Sequence, residues 1–178
     1  MQFLSDQAIL AWRQRFGWET PPNALFSTAG PVHTLKVVLP GQTVSNMAIS
    51  LTLLAAEREG AFGPTLLELI EWNVWNTLPQ ETLLERFRLS FGEKAAIHET
   101  PGHLFEVGEL PLLESLFVLA ALSGWELVLF PAHRKYSLFL SHDGVAFLNA
   151  VDFSVFSFLE ESLTSFPAEI LPIRPVRK

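Results

Sequence analysis

WELVLFPAHRKYSLFLSHDGVAFL, residues 125–148, decides the fold class. Three apolar runs, 125–130, 136–140 and 145–148, are separated by two breaks: the basic turn His133-Arg134-Lys135, and Asp143-Gly144. Asp-Gly between alternating apolar runs is the strongest short hairpin signal, because glycine takes up positive φ without strain. The spacing therefore predicts three consecutive antiparallel strands.

Helical grammar surrounds this meander. Asp152 is placed to cap a helix over 153–163, and Ser5 to cap one ending before Gly17, with Ile9, Trp12 and Phe16 buried and Arg13 and Arg15 outward. Residues 112–123, LLESLFVLAALS, are apolar on nearly every side, led by Pro111 and closed by Gly124, which predicts a helix central to the core. Thr77, three residues before Gln80, reads as a capping box for a helix ending at Gly92, with Leu83, Leu84, Phe87 and Phe91 inward. LLELIEWNVW, 66–75, follows Pro64 with apolar residues at 66, 67, 70 and 74, and reads as a further helix, as does 44–59. VHTLKVVL, 32–39, reads as a strand, and 94–107 as a hairpin turning at Pro101-Gly102. The expected architecture is α+β: one compact domain over 1–166, with several helices packed on a small antiparallel sheet built from hairpins at about 94–107 and 125–148. An extended, proline-rich basic tail follows over 167–178.

Composition narrows the function. The chain has 178 residues, enough for one full core. It has no cysteine, so thiolate metal sites, cysteine nucleophiles and disulfides are excluded. The N-terminal stretch has no basic region before its apolar residues, and no apolar run approaches a membrane span. The expectation is a soluble cytoplasmic protein with no membrane contact. Charged residues make up only 17%, against about 25% for a typical domain, which leaves apolar surface for a partner or for homo-oligomeric assembly. The net charge of −7 is concentrated in residues 57–126, which hold twelve acids and four bases. No basic stripe exists for phosphates, so nucleic acid is not an expected partner. An acidic surface steers a basic protein instead.

No phosphate loop, nucleophile elbow, dinucleotide fingerprint or calcium loop occurs, and no organic cofactor is expected. IHETPGHLFEVGE, 97–109, places His98 and His103 five residues apart across Pro101-Gly102, which is not the four-residue helical spacing of a zinc protease. Across a hairpin turn the two histidines can approach each other, with Glu99 or Glu106 as the third ligand such a site needs. Ser141, His142 and Asp143 are sequence neighbours and do not form a catalytic triad, because strand neighbours face opposite sides. Three readings follow, the third being a subunit of a homo-oligomeric assembly. The first is a non-catalytic, acidic protein-binding module using Glu68, Glu71, Trp72, Trp75, Glu81 and Glu85 to hold a basic partner. Small inhibitors and immunity-type proteins share this size and acidity, an analogy of size and charge alone. The second is a small enzyme or metal-binding protein using His98, His103, His133 and His142.

Overall fold

The computed structural model describes residues 1–18, 33–38, 64–72, 78–132, 136–150, 152–164 and 169–173. Among these the chain forms β1 (Gln2–Leu4), α1 (Asp6–Arg15), β2 (His33–Val38), β3 (Thr65–Glu71), α2 (Leu78–Ser90), β4 (Gly102–Phe105), α3 (Leu110–Leu122), β5 (Glu126–Pro131), β6 (Tyr136–Ser141), β7 (Val145–Ala150), α4 (Phe153–Leu163) and β8 (Glu169–Ile173). The expected helix over 44–59 lies outside the described residues. The strands make one eight-stranded sheet in the order β1-β4-β3-β5-β6-β7-β2-β8. Every neighbouring pair is antiparallel. The fold is mixed α and β, with a sheet much larger than two hairpins would make.

The meander β5-β6-β7 forms as its turn chemistry dictates. Gly144, at φ 71°, closes a three-residue loop between Ser141 and Val145. Two of the predicted helix caps form: Asp152 accepts from the Val155 N–H at 2.9 Å, and Ser5 from the Ala8 N–H at 3.5 Å, while the third, Thr77, lies outside the described residues.

Strand alternation then sorts the core into two layers. Leu67, Leu69, Leu127, Leu129, Leu138 and Leu140 face the principal core, where α2, α3 and α4 contribute Leu84, Phe117 and Phe156. Leu66, Leu104, Val128 and Phe130 face the other way and are covered by Ile9 and Trp12 of α1.

The predicted helix over 66–75 is corrected: 65–71 is strand β3. A strand inside such a sheet is buried on both faces, so it shows a continuous apolar run instead of alternation, and that run mimics helical spacing. The hairpin over 94–107 is also corrected. Residues 93–100 carry no strand, and β4 pairs with β1 on one side and β3 on the other. The Pro101 carbonyl accepts from the Leu69 N–H at 3.1 Å, so Pro101-Gly102 opens a strand and the turn falls earlier, at 97–99. Arg13 was expected to face outward and is instead buried, 4.9 Å above the Phe130 ring. In α2, Leu84 and Arg88 are buried, while Leu83 and Phe91 stay exposed.

Gly102 is where α1 meets the sheet. A Cβ there would stand 2.7 Å from Ile9 Cγ1 and 3.0 Å from Leu4 Cβ. Gly102→Ala is expected to cost about 1–3 kcal/mol through overpacking. Urea denaturation measures the cost, and a midpoint equal to that of the unmodified chain would show that α1 yields freely.

Candidate functional site

Among the described residues, the acids and histidines named from the sequence do not share one surface, although Glu71 and His142 approach each other beside Glu126. Glu68 lies mid-strand in β3 on the α1 side, half-buried and 3.7 Å from Arg13. Burial raises its pKa, and the Arg13 charge works in the opposite direction. Glu71 is exposed at the end of β3, and Trp72 packs against the principal core. Trp75 and His133 lie outside the described residues. Glu81 is half-buried and Glu85 exposed, both on α2, on the opposite side of the sheet from Glu68. The five described members of the set therefore do not make one continuous face.

His98 and Glu99 are exposed in the 97–99 turn, where Glu99 accepts from the Ala96 N–H at 3.0 Å. His103 has no exposed surface. The three form no common ligand set among the described residues. In β4, His103 stands directly across from Phe3 of β1 and Leu67 of β3. Its Nδ1 lies 3.1 Å from the Pro101 carbonyl, whereas Nε2 has no hydrogen-bond partner among the described residues. Burial, aided by the nearby Arg88 charge, pushes its pKa down to about 3. His103 is thus a neutral core residue, with Nδ1–H donating to Pro101.

Two arrangements remain with chemical potential. Where α2 meets the chain that follows it, a groove of about 320 Å³ is lined by Glu85, Leu89, Glu93, Ala95 and Ala96, with Lys94 at its rim and Arg88 at its base. Arg88 is fully engaged, donating to the carbonyls of Thr100 (2.8 Å) and Ala95 (3.3 Å) and to the Thr100 hydroxyl. Its charge is therefore committed to holding the segment and acts on the nearby Glu93 and Glu85 carboxylates. Glu93 already accepts from the Ala95 N–H at 2.6 Å, so Glu85 is the acid facing a visitor. The apolar floor beside them suits a long cationic side chain, whose methylenes pack while its head meets carboxylate.

The second arrangement lies on the α1 side of the sheet. Glu71, Glu126 and His142 bring one ligand atom each to within 4.8 Å of one another. Glu126 escaped the sequence reading. Its only signal there was a carboxylate opening a strand, and its meeting with Glu71 depends on a register that local pattern does not encode. No helix among the described residues is long and apolar enough to cross a membrane. No protein-family model, no curated protein and no solved structure matches this chain, so its chemistry is read from its own residues.

Proposed function

We propose that the chain is a non-catalytic binding module that holds a basic protein partner at the groove beside α2. The observation that carries this reading is the groove itself, with Glu85 and Glu93 flanking an apolar floor of Leu89, Ala95 and Ala96. Leu89 is more than half exposed, so the apolar floor of the groove is open to a partner. The acid excess of residues 57–126 supports the same partner charge. A lysine or arginine of the partner fills the groove, and its charge meets Glu85 at the rim.

The test uses charge changes of both signs. A partner captured by the full chain should be basic and should bind more weakly as salt rises. Glu85→Lys is expected to weaken binding about tenfold, and Lys94→Glu to tighten it, since a rim charge acts by attraction or repulsion. Isothermal titration with the captured partner reads both. Affinity that moves with neither substitution would place the contact elsewhere and sink this reading.

A further inference from the structure

We propose that Glu71, Glu126 and His142 form a binding site for one divalent transition-metal ion. The site lies on the opposite side of the sheet from the α2 groove, and its case is independent of that groove.

Three strand ends build it. In the β3–β5 ladder Leu69 pairs with Leu127, and the next pair is Glu71 with Glu126, because the register shifts between Leu69 and Glu71. Without that irregularity Ile70 would stand across from Glu126. The extra residue carries a second carboxylate onto the position facing the first, the kind of re-aiming that bulges perform beside functional sites. In the β5–β6 ladder Leu127 pairs with Leu140, which brings Ser141, and His142 after it, to the same end. The Ser141 hydroxyl donates to Glu126 Oε1 at 3.3 Å. The tight loop closed by Gly144 then holds His142 over Glu126, with Nδ1 2.8 Å from Oε1.

Two features point to a cation between these groups. Like charges directly opposite across a strand pair repel, so a ladder that sets Glu71 against Glu126 gains from a positive charge there. The second feature is the other face of the imidazole. His142 Nε2 lies 3.5 Å from Asp143 Oδ1, so a carboxylate stands behind the ring while another stands before it. A ligating histidine usually offers one nitrogen to the metal and gives its other N–H to a carboxylate, which fixes the tautomer and raises ligand basicity. Here Nδ1 is the ligand atom and Nε2–H faces Asp143.

The donor set selects the ion. One imidazole and two carboxylates suit the Mn²⁺-to-Zn²⁺ series, while Ca²⁺ and Mg²⁺ prefer oxygen alone. Zinc bonds of about 2.0–2.2 Å require ligand atoms roughly 3.0–3.6 Å apart. Glu126 Oε1 and His142 Nδ1, 2.8 Å apart, have to open by a few tenths of an ångström to admit the ion, and the exposed Glu71 has to close in. Three protein ligands leave a coordination position for water or an anionic ligand.

Titration of the full chain with Zn²⁺, Mn²⁺ and Ca²⁺, followed by calorimetry, tests the proposal. One Zn²⁺ per chain is expected, with no Ca²⁺ uptake at the same concentration. His142→Ala should abolish the uptake, and His98→Ala, at an exposed histidine far along the chain, should leave it unchanged. Asp143→Asn keeps a turn-forming Asn-Gly pair while removing the carboxylate behind the ring, so the hairpin survives even where His142→Ala disturbs it. That variant should bind Zn²⁺ 10–100-fold more weakly. No Zn²⁺ uptake, or uptake unaffected by Asp143→Asn, would overturn the proposal and leave His142 as a side-chain partner of Glu126 alone.

Discussion

Between pH 7 and pH 4 the folded chain is expected to lose on the order of 3 kcal/mol of stability through His103 alone. The imidazole has no exposed surface, and its pKa is pushed down to about 3, first by burial and then by the Arg88 charge. In the unfolded chain the same ring takes up its proton near pH 6.5. Between those two values the unfolded state holds one proton more than the folded state, so stability rises with pH by up to about 1.4 kcal/mol per unit across this window. The contribution is complete above pH 6.5 and declines continuously as the pH falls towards 3. Other carboxylates titrate over part of the same range, so the useful quantity is the difference between two proteins. His103→Asn keeps a donor near the place of Nδ1, facing the Pro101 carbonyl, and removes the titration. Urea denaturation of both proteins at pH 7, 5.5 and 4 gives the comparison. The variant starts less stable at pH 7 because the smaller side chain leaves a cavity, and its acid slope should be shallower by nearly one proton. Parallel slopes would mean that His103 is protonated inside the fold or reaches solvent readily.

Features controlled by local chemistry were legible in the sequence. The Asp143-Gly144 turn, the Asp152 and Ser5 caps and the all-round apolar α3 depend on residues within a few positions of each other, and each formed as its residues dictate. The features that failed to show were set by distant partners. Thr65–Glu71 has the composition of a buried strand only once β4 and β5 lie on either side of it. Gly102 reads as half of a turn until Ile9 and Leu4 are seen to need its missing Cβ. Arg13 and Arg88 look like surface residues, because charge normally stays in water. Each is buried only because another part of the chain supplies what it needs: Glu68 and the Phe130 ring for the first, Thr100 and Ala95 for the second.

The candidate sites follow the same division. Glu71 and His142 drew notice singly, as an acid and as a histidine, and nothing within ten residues of either names the other. Their approach needs the bulge after Leu69 and the β5–β6 register, and Glu126 sits where both meet. Glu85 was legible as an exposed acid on a helix. Its groove was not, because Ala95 and Ala96 belong to the stretch expected to start a hairpin, with Glu93 just before it.

Arg88→Met is expected to destabilise the chain by about 3–5 kcal/mol, because three acceptors lose their donor at once. Methionine nearly matches the volume, so packing changes little and the loss falls on hydrogen bonding. The carbonyls of Thr100 and Ala95 and the Thr100 hydroxyl each lose a donor. Buried acceptors left without one cost about 1–3 kcal/mol each, reduced where water reaches them from the groove. The guanidinium also lies 5.1 Å from the Phe3 ring centroid, and Phe3 meets His103 edge-on at 5.4 Å, so the same side chain helps to seat β1 against β4. Arg88→Lys should recover only part of the loss, because one ammonium cannot span contacts that a planar fork reaches together. Thermal or urea unfolding of the two variants ranks them. A second readout separates the network from plain packing. The Arg88 charge is the second cause of the low His103 pKa, so its removal should bring the folded-state protonation of His103 to higher pH and narrow the acid window described above. A methionine variant within about 1 kcal/mol of the unmodified chain, with the acid slope unaltered, would show that water satisfies the 95–100 segment and that Arg88 does not hold it.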